Sequence, residues 1–180
     1  MACMRRLTLL LALAICLVAP RLFAQEPESK IIAAVPACPS TETLDLLTKA
    51  IDAAVSGPAD KDRTCFRALF LPDARLIPIR VAADGKATPV ILTADGWINA
   101  VKKMGTTNLV ETQLKVKTEV WGHEAHLWST YQTKVGTDDK LGDRGINSIQ
   151  AIFDGKQWHV IEIVWQAETK DEMLPAQYLP

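Results

Sequence analysis

The sequence predicts an α+β domain in which helices come first and a run of antiparallel strands follows. Apolar residues of the first half, such as Leu44, Leu47 and Ile51, recur at the period of a helix with one buried face. From Val110 to Val120, apolar and polar residues alternate, which is the period of a half-exposed strand. This order favours helices packed on one face of a mainly antiparallel sheet.

Turn and capping residues divide the first half into three helices. Ser40 or Thr41 is expected to cap the first helix, which Gly57 ends. Asp60 is expected to cap a second, shorter helix, and Thr93 a third. Strands are predicted over residues 74–81, 110–120 and 124–135, and as two strands within 144–166 that meet at a turn of Asp154 and Gly155.

The final hairpin decides where several polar side chains point. Phe153 pairs with Lys156 across a two-residue turn, or with Trp158 across a four-residue loop. In both registers Asn147 and Glu162 share the face of Phe153 and Trp158, because side chains alternate along a strand. A β-bulge would upset this assignment.

We expect this face to point at the helices, because Phe153 and Trp158 suit a core. Glu162 would then reach into an apolar site, where burial raises a carboxyl pKa and suits it to general acid–base catalysis. Asn147 would orient Glu162 or hold a substrate oxygen. The alternative is that Glu162 lies near a strand end, solvated or paired with a lysine or arginine.

Four aromatic residues and one histidine are further candidates. Trp97, Trp128, Tyr131 and Trp158 are predicted to line the pocket, with Tyr131 as a hydrogen-bond donor to a ligand carbonyl, although each also suits a core position. His126 is a candidate for proton transfer, with a hydrogen-bonded structural histidine as the alternative.

His123 and His126 do not predict a metal site. Residues three apart on a strand point to opposite faces, and the zinc-protease motif needs a further residue between its histidines and a helix. The sequence contains no glycine-rich phosphate loop and no serine or cysteine clearly paired with a histidine. Neither a metal nor a cofactor is therefore expected.

The first residues predict a secretory signal peptide. Arg5 and Arg6 precede an apolar run, and Ala24 supplies a small residue for cleavage. The run is too short to span a membrane, so the alternative is an uncleaved N-terminal anchor. We expect a secreted or periplasmic protein, divided into a signal peptide (1–24), a linker (25–39), a domain (40–167) and a polar tail (168–180).

Cysteine content and charge add two constraints. Cys38 and Cys65 remain after cleavage, and an even pair in an exported chain suggests one disulfide, with two separate thiols as the alternative. The net charge is −1 at pH 7, and loss of the signal peptide, which contains arginines but no acid, makes it more negative. A mildly acidic chain without a basic run argues against nucleic acid as the main partner.

The sequence resembles the NTF2-like superfamily, which includes SnoaL-like and ketosteroid isomerase-like proteins. FRALFLPDARL, from Phe66 to Leu76, is similar to the helix-to-strand step of that family. Asp154 and Gly155, followed by Trp158, are similar to its final hairpin with one extra residue before the tryptophan, and RGINSIQ resembles exported, largely uncharacterised members. The resemblance implies a cone-shaped domain with three N-terminal helices packed on a curved sheet, and a pocket between them.

The resemblance implies a pocket but transfers no catalytic residue. Some members are isomerases, dehydratases, cyclases or hydrolases, and others only bind ligands or proteins. We expect a small apolar molecule with a carbonyl or hydroxyl group to bind in the pocket. The alternatives are a cofactor-free acid–base enzyme and a dimeric interaction module. Because both faces of the final hairpin are largely apolar, a homodimer is expected through the face away from the helices, unless the tail covers that face.

Overall fold

The computed structural model describes residues 38–136 and 140–180. The predicted signal peptide and nearly all of the predicted linker lie outside these residues. No helix in the described ranges is long and apolar enough to cross a membrane. The elements, in chain order, are α1 (Leu44–Val55), β1 (Gly57–Pro58), α2 (Thr64–Ala68), β2 (Phe70–Val81), β3 (Ala87–Pro89), α3 (Ala94–Lys102), β4 (Asn108–Trp121), β5 (Glu124–Val135), β6 (Lys140–Phe153), β7 (Trp158–Ala167) and a 3₁₀ turn (Ala176–Tyr178).

In the described part of the chain, seven strands form one sheet in the order β1-β4-β5-β6-β7-β2-β3. All neighbours are antiparallel except β2 and β7, which are parallel. The α+β class with a mainly antiparallel sheet is therefore confirmed. The prediction of three N-terminal helices is not, because β1 separates α1 from α2, and β2 and β3 separate α2 from α3. Gly57–Pro58 and Ala87–Pro89 are too short, and too rich in turn residues, to be recognised as strands.

Threonine caps explain where two of the helices begin. Thr43 caps α1 by accepting a hydrogen bond from the Leu46 N–H at 3.2 Å, and Thr93 caps α3 by accepting from the Gly96 N–H at 3.0 Å. The predicted cap of α3 is confirmed, whereas the cap of α1 lies beyond the predicted Thr41. Thr41 instead contacts the sheet, because its carbonyl accepts a hydrogen bond from the Trp158 N–H at 2.8 Å.

The core lies between the helices and one face of the sheet, which we call the helix face. Residues directly opposite each other on paired strands share a face. Leu76, Ile163, Ile149 and Leu127 form one such row, and all four belong to the buried core. The opposite surface of the sheet is the outer face, and its neighbouring row is Arg75, Glu162, Gln150, His126 and Glu119.

A β-bulge in β7 changes the faces predicted for the final hairpin. Ile161 has no partner between the pairs Gln150–Glu162 and Ala151–Val160. Residues after the bulge therefore exchange faces relative to the predicted alternation. The predicted face of Glu162 is corrected accordingly, because its side chain points to the outer face and away from the helices. The residues that replace it on the helix face are Ile163 and Trp165.

A second bulge, in β4, has the same consequence for a longer strand. Gln113 pairs with Tyr131 and Lys115 pairs with Thr130, which leaves Leu114 as the extra residue. Polar residues before the bulge point to the helices, and the lysines after it point to the outer face. The first half of a strand that alternates like a solvent-exposed one is therefore part of the interior.

Phe153 pairs with Trp158, so the four-residue loop is the register that the structure adopts. Asp154 Oδ1 closes this loop by accepting hydrogen bonds from the backbone N–H groups of Lys156 and Gln157, both at 2.8 Å. Gly155 has a φ of 99°, a conformation that glycine adopts without strain.

The predicted disulfide is confirmed. Cys38 is bonded to Cys65, 27 positions later in the chain. Cys65 belongs to α2, so the bond attaches the start of the described chain to the helix that carries Phe66.

The C-terminal tail crosses the outer face. Thr130 Oγ1 donates to the Tyr178 carbonyl at 2.6 Å, and Lys115 Nζ donates to the Leu179 carbonyl at 2.9 Å. Arg144 holds the start of the tail through two hydrogen bonds to the Glu168 carboxylate, at 2.7 and 3.1 Å. The tail therefore covers part of the surface through which a homodimer is predicted, and the dimer stays a prediction.

Candidate functional site

A cavity of about 110 Å³ lies between the helices and the helix face. All three helices contribute apolar wall, and the sheet contributes both apolar and polar groups. The apolar lining consists of Ile51, Val55, Phe66, Leu76, Trp97, Ile163 and Trp165. The polar lining consists of Glu111, Tyr131, Thr133, Asp143 and Asn147.

Glu111, in β4 before the bulge, is the most perturbed carboxyl of the cavity lining. Burial is the main cause that raises its pKa from the usual 4.5 to about 7, and the nearby charge of Asp52 raises it further. Hydrogen bonds from Gln113 Nε2 at 3.2 Å and Thr133 Oγ1 at 3.5 Å oppose the shift only in part. Near neutral pH, Glu111 therefore exists in both its protonated and its ionised form.

Gln113 connects Glu111 to the helix layer. Its side-chain amide donates to Asp52 Oδ1 at 3.0 Å, and its backbone N–H donates to Asp52 Oδ2 at 3.1 Å. Burial raises the pKa of Asp52 above its usual range, and these hydrogen bonds oppose the shift. The amide oxygen of Gln113 accepts from Ser129 Oγ, and from Asn147 Nδ2 at 3.5 Å, so the whole network fixes the orientation of the amide.

Tyr131 and Asn147 bring two further polar groups to the cavity. Tyr131 is 3% exposed and Asn147 6% exposed. Burial raises the pKa of the Tyr131 phenol, and the negative charges of Asp143 and Glu111 add to the shift. The phenol therefore keeps its proton at neutral pH and remains available as a hydrogen-bond donor.

Aromatic rings form the wall provided by α2 and α3. The rings of Phe66 and Trp97 stack with their centroids 4.3 Å apart. The Arg63 guanidinium lies 5.2 Å from the centroid of the Trp97 ring and donates to the carbonyls of Ala54 at 2.6 Å and Val55 at 3.0 Å. Arg63 thus supports Trp97 while its charge is satisfied at the C-terminal end of α1.

No family model and no curated protein matches the chain in sequence. Solved structures do match in three dimensions. An NTF2-like protein of unknown function from Pseudomonas putida superposes with a TM-score of 0.54 at 16% identity, over 76% of this chain and 94% of that one. The fold is NTF2-like.

Two further structures share the NTF2-like fold of this chain. One, from Novosphingobium aromaticivorans, is described as the beta subunit of an aromatic-ring-hydroxylating dioxygenase; its TM-score is 0.55 at 12% identity, over 76% of this chain and 92% of that one. The other, from Exiguobacterium sibiricum, is described as a Ca/calmodulin-dependent kinase II association domain; its TM-score is 0.52 at 11% identity, over 70% and 91%. At these identities the likeness shows the fold alone.

Three of the predicted site residues meet in the cavity of this NTF2-like domain. Trp97, Tyr131 and Asn147 line it from α3, β5 and β6 respectively. Trp158 lies on the same face but belongs to the core, where it is 9% exposed and packs against Phe153 at a ring distance of 5.3 Å. It is not among the lining residues.

The other three predicted residues lie on the outer face. The Glu162 carboxylate pairs with Arg75 at 2.7 Å, which is the arrangement that the alternative prediction described. His126 Nε2 lies 3.1 Å from Ser148 Oγ, and the Trp128 ring lies 6.1 Å from that of Tyr178 in the tail. The sheet therefore separates these side chains from Asn147 and Tyr131.

A larger hollow, of about 710 Å³, lies on the outer face beside His126, Trp128 and the tail. Its charged lining includes Lys117 and Glu119, which pair with each other at 3.0 Å and are mostly exposed. The pairing raises the pKa of Lys117 and lowers that of Glu119, so both keep their ordinary charges. The smaller cavity is the better candidate site, because desolvated groups with shifted pKa values converge there.

Sequence reasoning missed Glu111, Gln113 and Asp52. The first two alternate with apolar residues as a solvent-exposed strand face does, and only the bulge at Leu114 turns them inward. The sequence offered one signal of the network, since Asp52 borders the apolar stripe of α1.

Within the described residues, no group of three or more histidines, cysteines or acids could hold a metal ion.

Proposed function

We propose that this NTF2-like domain binds a small, mainly apolar molecule that carries one polar group. Three features of the cavity support the proposal: an apolar wall from all three helices, an aromatic pair at Phe66 and Trp97, and polar groups gathered on the sheet side. A mostly apolar pocket with a few convergent polar groups is the usual form of a small-molecule site.

The size of the cavity limits the ligand. Its volume is about 110 Å³. An engineered apolar cavity of roughly 150 Å³ in another protein holds one benzene molecule. We therefore expect a ligand of about four to six non-hydrogen atoms, by the same volume comparison. A longer ligand would need its remaining part to leave the cavity beside the exposed side chain of Asp143.

The observation that carries the proposal is the state of Glu111. A carboxyl with a pKa of about 7 offers both a donor and an acceptor at neutral pH. Burying it in an apolar site costs stability, and an ionisable group kept there with no ion-pair partner in the described part of the chain is a functional candidate. Asp143, Tyr131 and Asn147 provide further polar contacts beside it.

Native mass spectrometry of protein purified from its own host tests this proposal. A small molecule that copurifies and leaves on denaturation is the expected result. Asn147→Leu should lose the molecule, because it replaces a polar lining group with an apolar one of similar size. Gln150→Leu, on the outer face of the same strand, should retain it. Wild-type protein that is always empty, and that no small ligand perturbs in solution, would contradict the proposal.

A cofactor-free acid–base enzyme is the second candidate function, and the pKa of Glu111 supports it as well. A group that titrates near the working pH is best suited to transfer protons. Isomerase, dehydratase and cyclase chemistry all need such a group. Once a ligand is known, this candidate predicts that the wild type converts it and that Glu111→Gln lowers kcat far more than it weakens binding. A wild type that binds the ligand without converting it would favour binding alone.

We also propose that the chain is exported. The N-terminal sequence supports this, and so does the Cys38–Cys65 bond, because disulfides persist in oxidising compartments. Cleavage after Ala24 predicts a secreted or periplasmic protein that begins at Gln25. Intact-mass measurement of protein from its own host tests this prediction, and a protein that retains residues 1–24 would contradict it.

A homodimer through the outer face is a further proposal. Trp121 is 81% exposed at the end of β4, and a buried Trp is a frequent anchor of interfaces. The neighbour from Exiguobacterium sibiricum is described as an association domain, which is a second, weaker support. Light scattering should give twice the chain mass for the wild type and a lower mass for Trp121→Ala. A single-chain mass for the wild type would contradict the dimer and would mean that only the C-terminal tail covers the outer face.

A further inference from the structure

The polar groups of the cavity have unused hydrogen-bond acceptors. The Tyr131 hydroxyl has no hydrogen-bond partner within residues 38–136 and 140–180, although the residue is 3% exposed. The Asn147 Nδ2 group donates a hydrogen bond to Gln113, and its Oδ1 atom has no hydrogen-bond partner in the same ranges. The Glu111 carboxylate accepts from Gln113 and Thr133 and has capacity for about two more bonds.

The charged side chains that line the cavity are both acidic. Glu111 and Asp143 line it, and Asp52 lies behind Glu111, close enough to raise the pKa of Glu111. No lysine, arginine or histidine occurs among its described lining residues. The nearby Arg63 donates instead to carbonyls at the end of α1. A cation is therefore the species that this lining attracts most strongly, and an anion is repelled.

The aromatic wall completes a recognisable combination. Phe66, Trp97, Tyr131 and Trp165 all line the cavity opposite or beside the carboxyl groups. Aromatic rings attract cations through the negative face of the π system, and the attraction grows when the cation is desolvated. Rings together with carboxylates and neutral acceptors are the surroundings in which proteins hold amines.

We infer that the preferred ligand of the cavity is a small organic ammonium ion, with its N–H groups directed at Glu111, Asn147 and Tyr131 and its hydrocarbon part against Trp97 and Phe66. A primary ammonium has three N–H donors, which match the three acceptors with unused capacity. This inference rests on the proposed function, since it names the ligand class for the same cavity.

Neutral and anionic ligands fit less well. A ketone or ester needs donors, and the described polar lining offers few beyond the Tyr131 hydroxyl and a protonated Glu111. A carboxylate ligand would stand beside Glu111 and Asp143 with no cation to compensate its charge. Each would leave at least one lining acceptor buried without a partner, which costs binding free energy.

The inference has a pH consequence. The groups that face Glu111 are Asp52 from α1, Thr133 and Tyr131 from β5, and Gln113 from its own strand. The charge of Asp143, in β6, raises the pKa of Tyr131. An ammonium ion binds the ionised form of Glu111. Its affinity should therefore rise about tenfold between about pH 6 and pH 8, on either side of the pKa of about 7.

The test is an NMR titration of the purified protein with three ring compounds that have the same number of non-hydrogen atoms: cyclopentylammonium, cyclopentanol and cyclopropanecarboxylate. At pH 8 we expect cyclopentylammonium to bind about tenfold more tightly than cyclopentanol, with the carboxylate weakest. Shifts should centre on Glu111, Tyr131 and Trp97. A higher affinity for cyclopentanol or the carboxylate would overturn the inference and leave the proposed function in place. If none of the three binds, both fall.

Two variants and one control refine the test. Glu111→Gln should weaken cyclopentylammonium binding about tenfold, remove its pH dependence and leave cyclopentanol within about twofold. Glu124→Gln, an exposed change of the same kind in β5, should alter nothing. Tyr131→Phe keeps the ring and removes one acceptor, so it should weaken binding of the ammonium more than that of the alcohol. This variant replaces Glu111→Gln in the test if Glu111→Gln does not fold. Equal losses for ammonium and alcohol in either variant would contradict the inference.

Discussion

Gln113 holds Asp52 by two hydrogen bonds, one from its backbone N–H at 3.1 Å and one from its side-chain amide at 3.0 Å. Asp52 belongs to α1, and Gln113 precedes the bulge in β4. The pair therefore locks the helix layer to the sheet at the position where β4 turns its polar residues inward. The same amide donates a hydrogen bond to Glu111, so the contact between α1 and β4 and the candidate site belong to one hydrogen-bond network.

Asp52→Ala should destabilise the protein. It removes both acceptors, so that a partly buried backbone N–H loses its side-chain partner and the Gln113 amide keeps only its bonds to other residues, which costs about 1–3 kcal/mol. Urea unfolding followed by circular dichroism measures the change. Asp45→Ala, an exposed change in the first turn of the same helix, should cost a few tenths of a kcal/mol through the helix dipole. Equal effects of the two variants would show that the contact between α1 and β4 contributes nothing.

Stability should fall as the pH rises from about 5 to about 7. The pKa of Glu111 is raised from 4.5 to about 7 on folding, so the folded state binds more protons than the unfolded state in this window. The expected loss is about 2 kcal/mol, to which Asp52 adds in the same direction. Carboxyls with lowered pKa values, such as Asp154 and Glu168, lose their contribution only in stronger acid.

Glu111→Gln isolates the contribution of Glu111 to the pH dependence of stability, because glutamine does not titrate. The difference in unfolding free energy between variant and wild type should change across the window, whereas Glu124→Gln should follow the wild type. Parallel profiles for wild type and Glu111→Gln would mean that Glu111 ionises normally in the folded protein.

Removing the disulfide should cost stability without changing the fold. Cys38 and Cys65 close a loop with a separation of 27, and a loop of that length predicts a loss of about 3 kcal/mol. The double variant Cys38→Ala, Cys65→Ala should match the reduced wild type in urea unfolding, and reductant should have no effect on it. A wild type whose midpoint is insensitive to reductant would argue against the bond.

Replacing two glycines with alanine should change the stability of the protein in opposite directions. A Cβ at Gly145 would lie 2.0 Å from the Gln166 carbonyl oxygen, so β6 and β7 would have to separate beside Tyr131. We expect a loss of about 1–3 kcal/mol from overpacking. In α3, a Cβ at Gly96 finds its nearest atom at 3.4 Å, and alanine there should add about 0.5–1 kcal/mol. Thermal unfolding of both variants checks the two signs.

Periodicity and capping residues predicted most of the fold. Thr93 as a helix cap, the strand 124–135 and the final hairpin all follow from local chemistry. The short strands β1 and β3 do not. The pairing of β1 depends on β4, far along the chain, and β3 pairs locally with β2 but is too short to show an alternation of its own.

The site was predictable only in part, because face assignments depend on register. Asn147 kept its predicted face, since no bulge in β6 separates it from the residues used to count. Glu162 did not, because Ile161 bulges, and Glu111 was hidden for the same reason at Leu114. A single extra residue in a strand reverses every side chain after it, and alternation alone gives no sign of where this happens.

The proposed site depends most on Glu111 being a desolvated carboxyl inside a formed cavity. Carbon-13 NMR of the glutamate side-chain carboxyls, with Glu111→Gln used for assignment, measures its pKa in the folded protein directly. The structure predicts a value of about 7. A value near 4.5, shared with the exposed glutamates, would show that water reaches Glu111 and would remove the basis of the proposed site.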